Sequence, residues 1–286
     1  MNQVLWADRN VRPPGMGELM TEPRLTITSG MRRFLDYPKF ARPAVRVLVL
    51  EAGYFFDQSW VRAAESLGWE ARTVPSAITG GLTAEDVTRL FTALGEFQPD
   101  FIIGSNYAGM DAAGLFARFF EDARIPHVSW FADTPRMILH DRVVHPSPYS
   151  VAATWERAYI PHFEKLGFRH IVYLPLATDP ALFNGKPGGP TVRPLAFVGT
   201  SMIEQAEEAW SKLKHMPQVV RAMLEAFEAG HVTRERFAEG IGAILGPEIL
   251  KNRTTSELRH IELCLVYEAT RRQRTEMART LAPMGL

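Results

Sequence analysis

The chain of 286 residues has one cysteine, no excess of either charge and no long apolar run. A single Cys264 excludes an internal disulfide framework and fits a reducing compartment. It lies in the apolar run Ile261 to Val266, which reads as a packed helix residue rather than a reactive thiol. Lys plus Arg and Asp plus Glu balance at 32 each, so no net field draws the protein to nucleic acid or an anionic membrane. No stretch approaches the roughly 20 apolar residues of a membrane span, and the first residues lack a basic start before an apolar core. The expected location is the cytoplasm.

Several chemistries lack their signature. No G-x-G-x-x-G follows the first apolar run, where Glu51 to Phe56 stands instead, and this disfavours a dinucleotide oxidoreductase. Neither a G-x-x-x-x-G-K-[ST] loop nor a G-x-S-x-G elbow is present. Eight histidines show no metal-ligand spacing; His140, Asp141 and His145 come nearest and read as a solvated loop. The sequence calls for no metal and no cofactor.

What is present is a composition, 46% hydrophobic and 22% charged, that fits a globular protein with a sizeable core. After an irregular, Pro- and Arg-rich arm over 1–43, containing a strand-like piece at Leu25 to Thr28, a regular rhythm begins. Strands are expected over Val45 to Glu51, Glu70 to Val74, Asp100 to Gly104, Pro126 to Ala132, Ser150 to Thr154 and His170 to Leu174. Helical patterns stand between them: Ser59 to Gly68, a stretch opened by Thr83 as a cap, Gly109 to Glu121, and Tyr159 to Leu166. The alternation predicts an α/β fold, a Rossmann-like parallel sheet over 44–183 covered on both faces.

Two apolar segments, Tyr173 to Phe183 and Leu195 to Ser201, flank a Gly/Pro-rich linker at 184–194 that reads as a hinge. The second segment has the look of a buried strand, but the chain beyond it is helical in pattern. Helices are expected over Ile203 to His215, Pro217 to Glu228 and Thr233 to Leu245, then a long one opened by the capping box at Thr254 and running to about Leu281. Residues 195–286 are thus an incomplete, mainly helical second domain whose stripes form a core or a partner interface.

Ligands of parallel sheets bind beyond the carboxyl ends of the strands. Four loops qualify: Ala52 to Asp57, Ser105 to Asp111, Asp133 to Pro135 and Thr154 to Glu156. Asn106, Tyr107 and Asp111 suit a hydroxyl-rich ligand; alternatively Asn106 and Asp111 cap the next helix and Tyr107 packs. Asp133, closing a very apolar strand, reads as a desolvated base or as a cap for the turn into Pro135.

The series Val47 to Gly53, Pro99 to Tyr107, Ile125 to Pro135, Leu174 to Phe183 and Phe197 to Gly199 resembles the N-terminal half of CgeB-like (spore maturation) glycosyltransferases, of GT-B type. The likeness covers about 45–201. It implies an acceptor side on the first domain, with Tyr54, Asn106, Tyr107 and Asp111 as acceptor-binding candidates and Asp133 as catalytic candidate. It also implies a nucleotide-sugar donor whose phosphates lie near Gly199, Thr200 and Ser201. Where the family has an Asp-Asp-Pro-like motif, this chain reads Ala132 to Pro135. The glycine-rich turn and the acidic residue that would grip a donor ribose are absent. Two functions are compatible with this: transfer of a sugar to a glycan or protein acceptor, or a non-catalytic glycan- or protein-binding module that dimerises through its C-terminal helices.

Overall fold

The computed structural model describes residue 25 and residues 27–76, 83–140, 142–183 and 198–284. Six strands, β1 (Arg46–Glu51), β2 (Glu70–Pro75), β3 (Phe101–Ser105), β4 (His127–Phe131), β5 (Ser150–Thr154) and β6 (His170–Tyr173), form one sheet. Every pairing is parallel and the order is β2-β1-β3-β4-β5-β6. The expected α/β sheet is present with all six strands.

The strand order decides how the sheet is covered. The crossover from β1 to β2, carrying α2 (Asp57–Ser66), runs opposite to all later ones, so right-handedness puts α2 on one face and the remaining helices on the other. That other face holds the main core: Leu48, Leu50, Ile102 and Phe131 pack under α3 (Ala84–Phe97), α4 (Leu115–Asp122) and α6 (Ile160–Lys165). The α2 face has a smaller core of Val47, Val49, Ala64 and Ile103, edged by Trp60 and Trp69. Coverage on that side fades toward β6, where Val172 is exposed, which corrects the expectation of a sheet buried on both faces. Only one crossover runs to that side.

Local signals explain most element ends. Thr83 and Asp86 form a reciprocal capping box on α3. The helix expected from Gly109 starts instead at Leu115, because Asp111 accepts from the N–H groups of Ala113, Leu115 and Phe116 and holds the chain before them in turns. Within the arm, Ser29–Leu35 forms a helix, α1, where irregular chain was expected. Thr28 caps it by accepting from the Met31 N–H, and its Leu35 is buried in the main core. Residues 25, 27 and 28 are not in a strand.

Beyond the linker, which lies outside the described residues as Leu195 to Phe197 also do, Val198 to Ser201 is irregular and exposed, not a strand. Val198 is 95% exposed. The rest is helical: α7 (Ile203–Lys212), α8 (Pro217–Glu228), α9 (Arg234–Glu239), α10 (Ile241–Leu245), α11 (Pro247–Leu250) and α12 (Thr255–Leu281). One helix was expected over Thr233 to Leu245, but Gly240 at φ +118 breaks it into α9 and α10. Leu213, Val219, Met223, Ile244, Ile261, Cys264 and Leu265 give this unit its own core. Burial pushes the Cys264 thiol up to about 12, in keeping with a packing role.

The helical unit docks on the sheet unit beside α5 (Pro135–Leu139). Arg136 of α5 donates to the buried Glu262 of α12 at 3.0 Å, and Ala238 of α9 enters the main core.

Candidate functional site

In a sheet of this order the strand connections diverge between β1 and β3, the place where a ligand crevice is expected at the carboxyl ends of the strands. Tyr54 follows β1, Asn106 follows β3 and Asp133 follows β4. The structure brings these three together. Asn106 Nδ2 donates to the Tyr54 hydroxyl at 2.8 Å and to Asp133 Oδ2 at 2.6 Å, while its Oδ1 accepts from the N–H groups of Ala132 at 2.9 Å and Asp133 at 3.0 Å.

Asn106 therefore has all its polar capacity in use, with two donors and two lone pairs satisfied, and it is fully buried. It holds the site rather than binding a ligand itself. Its backbone is left-handed, φ +52, a conformation that asparagine tolerates better than most residues. That turn points the amide across β4 instead of into the helix that follows.

Tyr54 and Asp133 carry what remains available. Among the described residues no acceptor takes the Tyr54 hydroxyl hydrogen, and Asp133 Oδ1 receives no hydrogen bond. Asp133 is exposed, which corrects the expectation of a desolvated carboxylate. It does not cap the next turn either; α5 starts after Thr134 with no side-chain cap. A donor and an acceptor splayed about one amide suit a group that both gives and takes a hydrogen bond, such as an alcohol.

The other acceptor-side candidates are committed elsewhere. Tyr107 is buried among core residues, its N–H donates to Ser129 Oγ at 2.8 Å, and burial pushes its hydroxyl up to about 12. The carboxylate of Asp111 is taken up by the N–H groups that lead into α4. Gly199, Thr200 and Ser201 are exposed, and Arg274 of α12 donates to the Thr200 carbonyl at 2.7 Å and to its hydroxyl at 3.0 Å.

Aromatic rings lead from Tyr54 toward the core under α2. Tyr54 stacks on Phe56 with centroids 4.9 Å apart, Phe56 meets Trp130 edge-on at 5.5 Å, and Trp130 meets Trp60 likewise at 5.5 Å. Phe55 beside them is 78% exposed. Trp155, after β5, donates to the Ala132 carbonyl at 2.9 Å and so braces the loop that carries Asp133.

A strap crosses this edge. Beyond β6, Leu174 donates its N–H to the Thr154 carbonyl at 2.9 Å, and its own carbonyl accepts from Trp130 Nε1 at 3.4 Å. Farther along, Asp179 reaches α2, accepting from Ser59 Oγ at 2.6 Å and Arg62 Nε at 2.9 Å. Those bonds, Ser59's first and then Arg62's, hold the Asp179 carboxyl down at about 2. The sequence marked this segment as a hinge flank; the pairing of Asp179 with residues over a hundred positions earlier left no local signal.

No family model, curated protein or solved structure matches the chain. Among the described residues, no three His, Cys, Asp or Glu side chains are grouped to hold a metal ion, and no helix is long and apolar enough to cross a membrane.

Proposed function

We propose that the crevice between Tyr54 and Asp133 binds a hydroxyl of a glycan or protein acceptor, and that the chain is the acceptor side of a GT-B type sugar-transfer system. The observation that carries this reading is the single buried amide of Asn106, which presents one phenol donor and one exposed carboxylate at the β1/β3 divergence. An acceptor hydroxyl would accept from Tyr54 and donate to Asp133, which would take its proton as the oxygen bonds to the anomeric carbon of a nucleotide-sugar donor and the bond from that carbon to the phosphate oxygen breaks, releasing the nucleoside diphosphate. The exposed Phe55 ring would supply flat apolar surface for the face of a sugar ring.

The test is calorimetry with uncharged oligosaccharides, then an assay for transfer from uridine- and guanosine-diphosphate sugars. Asp133→Asn should leave acceptor binding within a few-fold and lower transfer by about 100-fold or more. A folded protein that neither binds any such acceptor nor transfers or hydrolyses any such donor sinks the proposal. Acceptor binding without turnover would assign the chain to the binding-module reading, which the exposed setting of Gly199 to Ser201 favours.

Self-association through the C-terminal helices is supported by the outer side of α8. Pro217, Val220 and the exposed Leu224 form an apolar stripe along a groove, with Lys214 and Arg221 toward one end and Glu225 and Glu228 at the other. A second copy laid antiparallel would set each basic end against an acidic one and pair the two Leu224 side chains. Sedimentation velocity should show a dimer that Leu224→Glu dissociates; a wild-type monomer at high protein concentration removes this partner.

A further inference from the structure

The turn after the first strand of a parallel α/β sheet is a common place for an anion, because backbone N–H groups and the start of the first helix converge there beside the divergence of the sheet. In this chain the place is already occupied. Asp57 is 3% exposed, and its Oδ2 accepts from the N–H groups of Ala52 and Tyr54, each at 2.9 Å. Its Oδ1 is buried with no hydrogen-bond partner.

Geometry makes the turn a cradle. Gly53, between the two donating residues, has φ +84, which folds the loop so that both amides face the same carboxylate. A Cβ at Gly53 would meet nothing within 4 Å, so the glycine is there for its backbone and not for close approach to a ligand. The donors of an anion nest are present, turned inward, and filled by the protein's own side chain.

We propose that Asp57 is a built-in anion that closes this turn to phosphate and makes the crevice select a ligand that is uncharged at its β1 end. The inference rests on the acceptor reading of the crevice and narrows it: the acceptor is a neutral polyol or glycoside, not a sugar phosphate. The rim agrees. Glu51 at the end of β1 and the exposed Asp133 add negative charge, and the Arg62 side chain of α2 is already bonded to Asp179. Burial, with Glu51 beside it, raises the Asp57 carboxyl above the usual carboxylate range, the response expected of a pocket hostile to further negative charge.

The experiment is a titration of inorganic phosphate and diphosphate into the full chain, read at the amide resonances of Ala52, Gly53 and Tyr54. Wild type should show no saturable shift up to about 20 mM, whereas Asp57→Gly, which empties the cradle, should show saturable shifts with at least about tenfold tighter apparent binding. Its melting temperature should also rise with phosphate, and that of wild type should not. Saturable phosphate binding at these amides in wild type overturns the proposal, as does a folded Asp57→Gly that gains none.

If Asp57→Gly does not fold, Asp57→Ser is read in its place; if that too is unfolded and phosphate does not restore it, the result counts against the proposal. Failure of the acceptor reading is distinguishable. It would show as no binding of uncharged glycosides by a wild-type protein that still refuses phosphate.

Discussion

Asn106 gives both amide hydrogens and both carbonyl lone pairs to its neighbours, so its loss would disconnect three loops at once. Asn106→Ala leaves two backbone N–H groups and a carboxylate short of partners and keeps a left-handed backbone that alanine resists; the expected cost is about 2–4 kcal/mol by urea denaturation. Asn106→Gly loses the same bonds without the strain and should be less destabilised by about 1 kcal/mol. Equal losses would place the cost in the hydrogen bonds alone. The sequence marked Tyr54, Asn106 and Asp133 because each follows a strand, but not their meeting, which depends on the left-handed turn at Asn106 and Tyr107. Tyr107 and Asp111, polar and in the same loop after β3, went to core and cap, the alternative that the sequence had left open for them. His127 was invisible to motif reading. It is wholly buried against Phe120, and burial lowers its pKa to about 3. A depressed histidine pKa means the unfolded chain takes up a proton that the fold refuses, so stability should be complete above about 6.5 and fall as pH drops toward 3, by up to about 1.4 kcal/mol per pH unit. His127→Leu should flatten the melting temperature against pH in that range; an unchanged slope would mean that other groups set the acid limit.

At the scale of elements, the strap from Leu174 to Phe183 is held at one end by the carboxyl end of β5 and at the other by Asp179 on α2. Its anchor is partly solvated, so Asp179→Ala should leave global stability nearly unchanged. Amide exchange over 174–183 should nonetheless rise, with β1 to β5 unchanged. Slow exchange there in the variant would show that the Leu174 contacts hold the strap alone. Strands were the most legible elements because each is a short β-branched or apolar run flanked by turn residues, and parallel pairing follows from the helices between them. Helices were legible where a box announced them, as at Thr83 and Thr254. They were misread where a local turn overrode the periodicity: Asp111 delays α4 to Leu115, and Gly240 at φ +118 splits one amphipathic stripe into α9 and α10. The α1 helix had a cap at Thr28 but too few apolar residues to stand out from the arm.

Across the whole molecule, two cores meet through few residues. The sheet unit is built around Phe131 and Leu48 and the helical unit around Met223 and Leu265, so each has the means to be a cooperative block. Between them the Arg136–Glu262 pair, 3.0 Å long and with the Glu262 side chain 6% exposed, is the polar contact that both units need satisfied. Gly240 leaves room for it, since a Cβ there would stand 3.0 Å from Arg136 Nη2. Removing Arg136 alone strands the buried Glu262 carboxylate, whereas removing both partners strands nothing. Arg136→Ala should therefore cost about 3 kcal/mol or more and split calorimetric unfolding into two transitions, the helical unit melting first, while Arg136→Leu with Glu262→Leu should recover most of the loss and restore a single transition. A single transition in Arg136→Ala would mean that Ala238 and the apolar part of the seam suffice to couple the two blocks. The two blocks would then unfold as one domain, and the hinge expected after Phe183 would join units that act as one body.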